Sequence, residues 1–215
     1  MGFVLTAADY AEYVKRTYEV IRVNGDYVTE LDLATGDGDH WSNINMGFEK
    51  LVADIEALAS MNISDELKAI GKSMMAVIGG SSGVLYGSAY LAAAKAVKGK
   101  EVLGKQELYD VLEAMLNAII SRGQAQEGFK TMIDSLAPAV KAYKSCIENG
   151  SNEKTLCEVV KKAAIDGAEN TKNMKAVRGR ATYQANKGVG HLDPGAITMS
   201  YQISTLMDYV AEKLM

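Results

Sequence analysis

The sequence predicts an all-α fold, an antiparallel up-and-down bundle of about eight helices. Three observations lead there. Only two prolines occur in 215 residues. Alternating apolar runs of the strand type are nearly absent, whereas apolar residues recur at intervals of three and four. Ala, Leu, Lys, Glu and Met, which lose little freedom on entering a helix, dominate the composition.

The elements follow in order. Thr6 and Asp9 read as the capping pair of a first helix running to about Val23, with Tyr10, Val14, Thr17, Tyr18 and Ile21 on one face. Asn24-Gly25 stops it, and a short helix through Tyr27 and Leu31 follows. Ile44, Phe48, Leu51, Ile55 and Leu58 repeat at four, three, four and three, as one amphipathic helix would. Ser64 stands as the cap of a helix carrying Leu67, Ile70, Met74 and Val77. "GGSSG" at 79–83 interrupts it, and "VLYGSAYLAAAKAV" resumes with small side chains that let backbones approach. Leu108, Leu112, Met115 and Ile119 mark a helix closed by "SRG" at 121–123. Met132, Leu136, Val140, Tyr143 and Ile147 mark the next, with Pro138 expected to bend its early turns. Leu156, Val160, Ala163, Gly167, Asn170 and Met174 outline another, and Met199, Ile203, Leu206, Val210 and Leu214 the last. No Pro- or Ser-rich linker divides the chain, so residues 1–215 are expected to form a single domain.

Composition excludes several classes of function. A hydrophobic content of 48% with 23% charged residues reads as an ordinary globular protein. The net charge of −4 offers no attraction to nucleic acid or to an anionic membrane surface. No apolar run approaches the roughly 18 residues of a membrane span, and the first residues do not read as a secretory leader. Cys146 and Cys157, eleven residues apart without metal-type spacing, read as reduced thiols in a cytoplasmic protein.

Glycine collects at four junctions: "TGDGDHWSN", "IGGSSGVLYG", "SRGQAQEGFKTM" and "RGRATYQANKGVGHLDPGA". In an up-and-down bundle every second connection lies at the same end, so separate loops can converge on one site. Asp32, Asp37 and Asp39 fall within eight residues. Such carboxylates either cap and turn the chain, or hold a hard cation that prefers oxygen ligands, as Mg²⁺ does. A calcium EF-hand is excluded, because its fifth and twelfth loop positions would be Trp41 and Phe48. "GGSSG" ahead of a helix is either a hinge or a phosphate cradle of backbone amides and hydroxyls. Arg178 and Arg180 are either solvated or poised for a phosphate, and His191 is a loop histidine beside the Pro194-Gly195 turn.

Taken in order, "LDLATGDGDHWSNINMGF", "GGSSGVLYG", "SRGQAQEGFKTMIDSLAP" and "GRATYQANKGVGHLDPGA" resemble the L-subunit (DhaL) family of dihydroxyacetone kinases, over about 170 residues. The resemblance implies an antiparallel eight-helix barrel with a nucleotide, ADP or ATP, capping one end. It implies that Asp32, Asp37 and Asp39 ligate two Mg²⁺ ions, and that His40, Asn43, Ser81 and Ser82 contact the nucleotide. Gly123 and Met132 match positions lining the base and ribose, Arg180 a phosphate-contacting, catalytic arginine, and Asp193, Pro194 and Gly195 a further nucleotide-contacting turn. Two positions depart from the family pattern. Trp41 stands where a small residue is usual, with the phosphate pocket or a partner-facing rim as its expected surroundings. Phe129 replaces the aspartate of "GDKTM".

The family's bacterial form implies two partners. An M subunit donates a phosphoryl group from a phosphohistidine to tightly bound ADP, and a K subunit holds dihydroxyacetone to receive it. An ADP-sensing adaptor for a transcription regulator and a kinase subunit for a related small ketose are the alternatives.

Overall fold

The computed structural model describes residues 2–214. Its helices are α1 (Ala7–Val23), α2 (Gly25–Thr35), α3 (His40–Ala53), α4 (Ile55–Ala59), α5 (Ile63–Val77), α6 (Gly80–Ala96), α7 (Lys105–Gly123), α8 (Ile133–Glu148), α9 (Glu153–Asn170) and α10 (Pro194–Glu212). Short 3-10 turns cover Thr171–Asn173 and Arg180–Tyr183. Apart from α2 and α4, which sit within connections, each helix packs on its successor, and α10 returns to α1. The eight long helices therefore close a ring.

Sequential antiparallel packing divides the connections between two ends. At one end lie the passages α1 to α3 through α2, α5 to α6, α7 to α8, and α9 to α10. The other end is tied by a backbone pair, in which the amide of Leu5 donates to Leu103 (2.9 Å) and that of Leu103 to Leu5 (2.8 Å). The four glycine-rich junctions of the sequence are the four connections of the first end.

Local chemistry accounts for four of the helix starts. Thr6 and Asp9 form the expected capping box of α1. Asn62 and Asn152 cap α5 and α9 by accepting from the amides of Asp65 and Thr155, each at 2.9 Å. Asp193 caps α10, taking the Ala196 amide at 2.7 Å, with Pro194 at the first helical position.

Three sequence expectations shift. The apolar series through Leu58 is not one helix, because Asp54 leaves the helical conformation between α3 and α4 while Lys50 holds its carboxylate at 2.7 Å. Ser64 is not a cap; it lies inside α5 and its hydroxyl donates to the Ala94 carbonyl at the end of α6 (2.9 Å). Met174 lies beyond α9, past the Thr171–Asn173 turn, and Leu214 lies beyond α10. Pro138 is inside α8, and the helix continues through it. Its missing N–H leaves the Asp134 carbonyl without a helical donor. Gly167 of α9 packs at that spot, so closely that a Cβ would collide with the Asp134 carbonyl.

The ring is filled by Ile44, Phe48, Leu67, Ile70, Met74, Leu136, Leu156 and Leu206, all within 1% of full burial. Its interior also holds polar groups. Tyr86 accepts from Gln202 at 2.8 Å. Glu66 is fully buried near Tyr10 and Tyr90, and neither of its oxygens has a hydrogen-bond partner. Desolvation pushes its carboxyl up to about 9. The unfolded chain releases this proton near the usual 4.5, whereas the folded chain retains it. Stability is therefore lost progressively as pH rises from about 4.5 to about 9, on the order of 3 kcal/mol by pH 7. Glu66→Gln is expected to gain stability relative to the parent by an amount that grows with pH. Urea denaturation of both proteins at pH 5, 7 and 9 checks this; a difference independent of pH would show the carboxyl to be charged and paired.

Candidate functional site

The mouth of the ring begins with α2 and the loop after it. Asp32, in the last turns of α2, is buried, while Asp37 and Asp39 are about half exposed. One carboxylate oxygen from each lies within 4.8 Å of the others. Two glycines make this possible. At Gly36 a Cβ would collide with the Asp32 carboxylate, and Gly38 takes the left-handed conformation (φ +80°) that side chains disfavour. One Asp32 carboxylate oxygen, Oδ2, accepts the His40 amide at 3.0 Å, which fixes the start of α3.

Arg180 meets this trio from across the mouth. Its guanidinium lies 2.7 Å from Asp37 and 3.7 Å from Asp39. These side chains are all close to half exposed, so the pairing is of the surface kind, worth about 0–1 kcal/mol. The arginine can therefore exchange its carboxylates for another anion at little cost.

These groups border a cavity of about 540 Å³, within the range of small-molecule sites. Its polar side is formed by Asp32, Asp39, His40, Asn43 and Arg180, and by Ser81 and Ser82 in the first turn of α6. That turn has unpaired amides at its N-terminus and carries no acidic residue, so it favours an anion. The apolar side is formed by Val84, Leu85, Ile119, Ala125, Met132 and Ile133, with Gly123 at the end of α7. Asp193, Pro194 and Gly195 complete the rim.

Burial tunes two groups. His40 is pushed down by desolvation, against the opposing charges of Asp32 and Asp39. Its imidazole is therefore neutral at pH 7, with Nε2 2.9 Å from the Thr198 hydroxyl. Burial pushes the Asp193 carboxyl up to about 7, opposed by the Ala196 amide and by Lys130.

Thus the structure brings to one mouth every residue that the resemblance assigned to nucleotide or metal; Asp37 joins through the acidic trio and Arg180 rather than as a wall of the cavity, and His191 does not line it. Trp41 does not line the cavity. Its indole faces away from the cavity, stacks over Gly25 and donates to the Ile21 carbonyl at 3.0 Å, pinning α3 to the α1–α2 junction. Phe129 packs partly buried against the core, and its carbonyl accepts from Val177 at 3.2 Å. Arg178 donates to the Gln124 carbonyl at 3.0 Å. The sequence reading missed Thr35, Arg122, Lys130 and Thr131 as wall residues. Lys130 and Thr131 lie in the "KTM" of an already suspected junction, but a lysine in a loop normally reads as solvated.

Hard oxygen donors, a guanidinium and a helix N-terminus converge beside an apolar wall at one end of a helical ring, an arrangement suited to a ligand with an anionic end and an apolar end. Residues 34–208 match the DAK2 domain model. The ADP-binding subunit DhaL of the PEP-dependent dihydroxyacetone kinase of Escherichia coli (strain K12) is 32% identical over 94% of this chain and 96% of its own. The DhaL of the PTS-dependent kinase of Lactococcus lactis is 35% identical over 97% of this chain and 100% of its own. The chain belongs to the DAK2-domain family, among its DhaL-type dihydroxyacetone kinase subunits. The dihydroxyacetone kinase of C. freundii, solved in complex with AMP-PNP and Mg²⁺, matches it with a TM-score of 0.71 and 25% identity over 92% of this chain. This chain spans about one third of that longer kinase. Among the described residues no helix is long and apolar enough to cross a membrane.

If the trio is a cation site, its geometry depends on the missing side chain at position 36. Gly36→Ala is expected to weaken Mg²⁺ binding at least tenfold by displacing the Asp32 carboxylate, as read by titration calorimetry.

Proposed function

We propose that this chain binds ADP and ATP at the open end of the ring and serves as the phosphoryl-transfer subunit of a dihydroxyacetone kinase. The single observation that carries the reading is the layout of the cavity: acidic trio and Arg180 at one side, apolar wall at the other. A nucleoside diphosphate has the matching polarity, with charged oxygens at one end and a flat base at the other.

The donor set fits magnesium. Three carboxylates within reach of one another supply hard oxygens but too few to fill two octahedral shells, so phosphate oxygens and water would complete them. Asp32, Asp37 and Asp39 would hold two Mg²⁺ ions, whose chemistry when bound is to neutralise charge on the phosphates.

The remaining work falls to this chain's own residues. Released from Asp37, Arg180 would turn its planar guanidinium onto phosphate oxygens and act as the catalytic cation. The first turn of α6, with Ser81 and Ser82, would receive phosphate oxygens through backbone amides and hydroxyls. Neutral His40 and Asn43 would orient the diphosphate by hydrogen bonding. Met132 and Gly123 would bound the base and ribose, with Asp193, Pro194 and Gly195 closing the far rim and keeping water out. Phosphoryl transfer is catalysed mainly by positioning and charge stabilisation, so the site needs no nucleophile of its own.

In this scheme the phosphoryl group passes from a phosphohistidine of the M subunit to bound ADP. It then passes to a hydroxyl of dihydroxyacetone held on the K subunit. The relatives named as PEP- or PTS-dependent ADP-binding subunits support the reading.

The test is native mass spectrometry of freshly purified protein. One adenine nucleotide with two divalent ions is expected on the parent chain and none on Asp37→Ala. A folded parent without affinity for ADP or ATP at ample magnesium would overturn the function, and unchanged nucleotide content in the variant would overturn the metal assignment.

A further inference from the structure

Lys130 belongs to the connection between α7 and α8, yet its side chain is only 1% exposed. Its backbone takes the left-handed conformation, φ +61°, which a non-glycine residue adopts at a cost. The carboxylate of Asp134 holds this turn by accepting the Thr131 amide at 2.8 Å, together with the Gly128 amide. The ammonium donates to two backbone carbonyls, those of Thr171 (2.6 Å) and His191.

Those two carbonyls stand at the two stems of one long excursion between α9 and α10. Arg178 and Arg180 ride on it, and Asp193 follows its second stem. Between the stems the Gly190 amide donates to Lys172 (2.8 Å) and the Ala176 amide to Lys187 (2.9 Å). Gly188 packs on the lysine stem, where a Cβ would come within 3.0 Å of Cε. Burial pulls the Lys130 ammonium below the usual lysine range, and the nearby Asp193 and Asp134 carboxyls oppose that shift only in part. A lysine beside a phosphate-binding cavity would ordinarily be assigned to the phosphates, but here two of its three N–H donors are committed to the backbone and the third has almost no access to solvent.

We propose that Lys130 is a positioning residue, not a phosphate ligand: its ammonium clamps the two stems of the 171–193 excursion together and thereby sets Arg180 and Asp193 over the cavity. The physical basis is plain. Charge-assisted hydrogen bonds to carbonyls are the strong kind, and closing a long loop at its base removes most of the freedom its tip would otherwise have. The link to nucleotide binding rests on the function proposed above; the clamp itself does not.

Two measurements test it. In the nucleotide-free parent, a slowly exchanging ¹⁵Nζ resonance of Lys130 is expected by NMR, and it should not shift when Mg·ADP is added. In Lys130→Met, amides of residues 176–190 should exchange at least tenfold faster while those of α1 and α5 keep their rates, and the Kd for ADP should rise at least tenfold. Lys130→Arg, which retains a buried cation with several donors, should recover part of both effects. The clamp is overturned if the ζ resonance is missing, if it moves on ADP addition as a phosphate contact would, or if exchange in 176–190 is unchanged or rises evenly through the helices. Should the variant fail to fold, the parent's ζ resonance alone decides. A parent that binds no nucleotide defeats the proposed function and leaves the exchange result to judge the clamp.

Discussion

The mouth of this protein is organised by like-charge repulsion. Three carboxylates carry oxygens within 4.8 Å of one another, and like charges at that spacing repel. Unit charges about 4 Å apart repel by roughly 1 kcal/mol in bulk water and about 4 kcal/mol at the effective dielectric near a protein surface. Every neighbouring feature answers that problem. Gly36 and Gly38 allow the backbone to bring the groups together; the His40 amide takes one Asp32 oxygen; the Arg180 guanidinium spans Asp37 and Asp39. The first turn of α6 brings further positive potential without an acidic side chain to cancel it.

The ring itself carries a different burden. Sequential antiparallel packing, closed by α10 on α1, buries the apolar faces and leaves the connections at one end free to carry chemistry. Scaffold and site are thereby separated: the interior tolerates a strained choice such as unpartnered Glu66, while the mouth uses loops whose shape is enforced by a few buried groups. The Pro138–Gly167 contact joins the two regimes, since it packs α9 against the first turns of α8, next to Met132 on the cavity wall.

Much of this was legible from the residues. Apolar spacing marked the long helices because one face of each must be buried, and the capping box at Thr6 and Asp9 was readable from local chemistry. The acidic trio was visible because the spacing of Asp32, Asp37 and Asp39 on a glycine-rich segment is unusual in itself. What was not legible depended on tertiary placement. Apolar spacing continued through Asp54, so the break there was hidden. Ser64 was read as the cap, but its hydroxyl is taken by the Ala94 carbonyl and Asn62, which the sequence reading did not single out, serves instead. Lys130 was overlooked because burial of an ammonium is set by carbonyls at Thr171 and His191, distant in the chain. That Trp41 stays off the cavity wall was hidden because sequence order cannot tell which side of α3 faces the cavity.

That placement has a practical corollary. The chain has a single tryptophan, and it sits two residues from Asp39 with its indole N–H anchored on the Ile21 carbonyl. Tryptophan fluorescence, excited apart from the eleven tyrosines, therefore reports on one known location, just behind the acidic loop and outside the cavity. Emission from that lone indole would register a rearrangement of the entrance without direct quenching by an occupant, so the protein carries its own optical label where one would otherwise have to be installed.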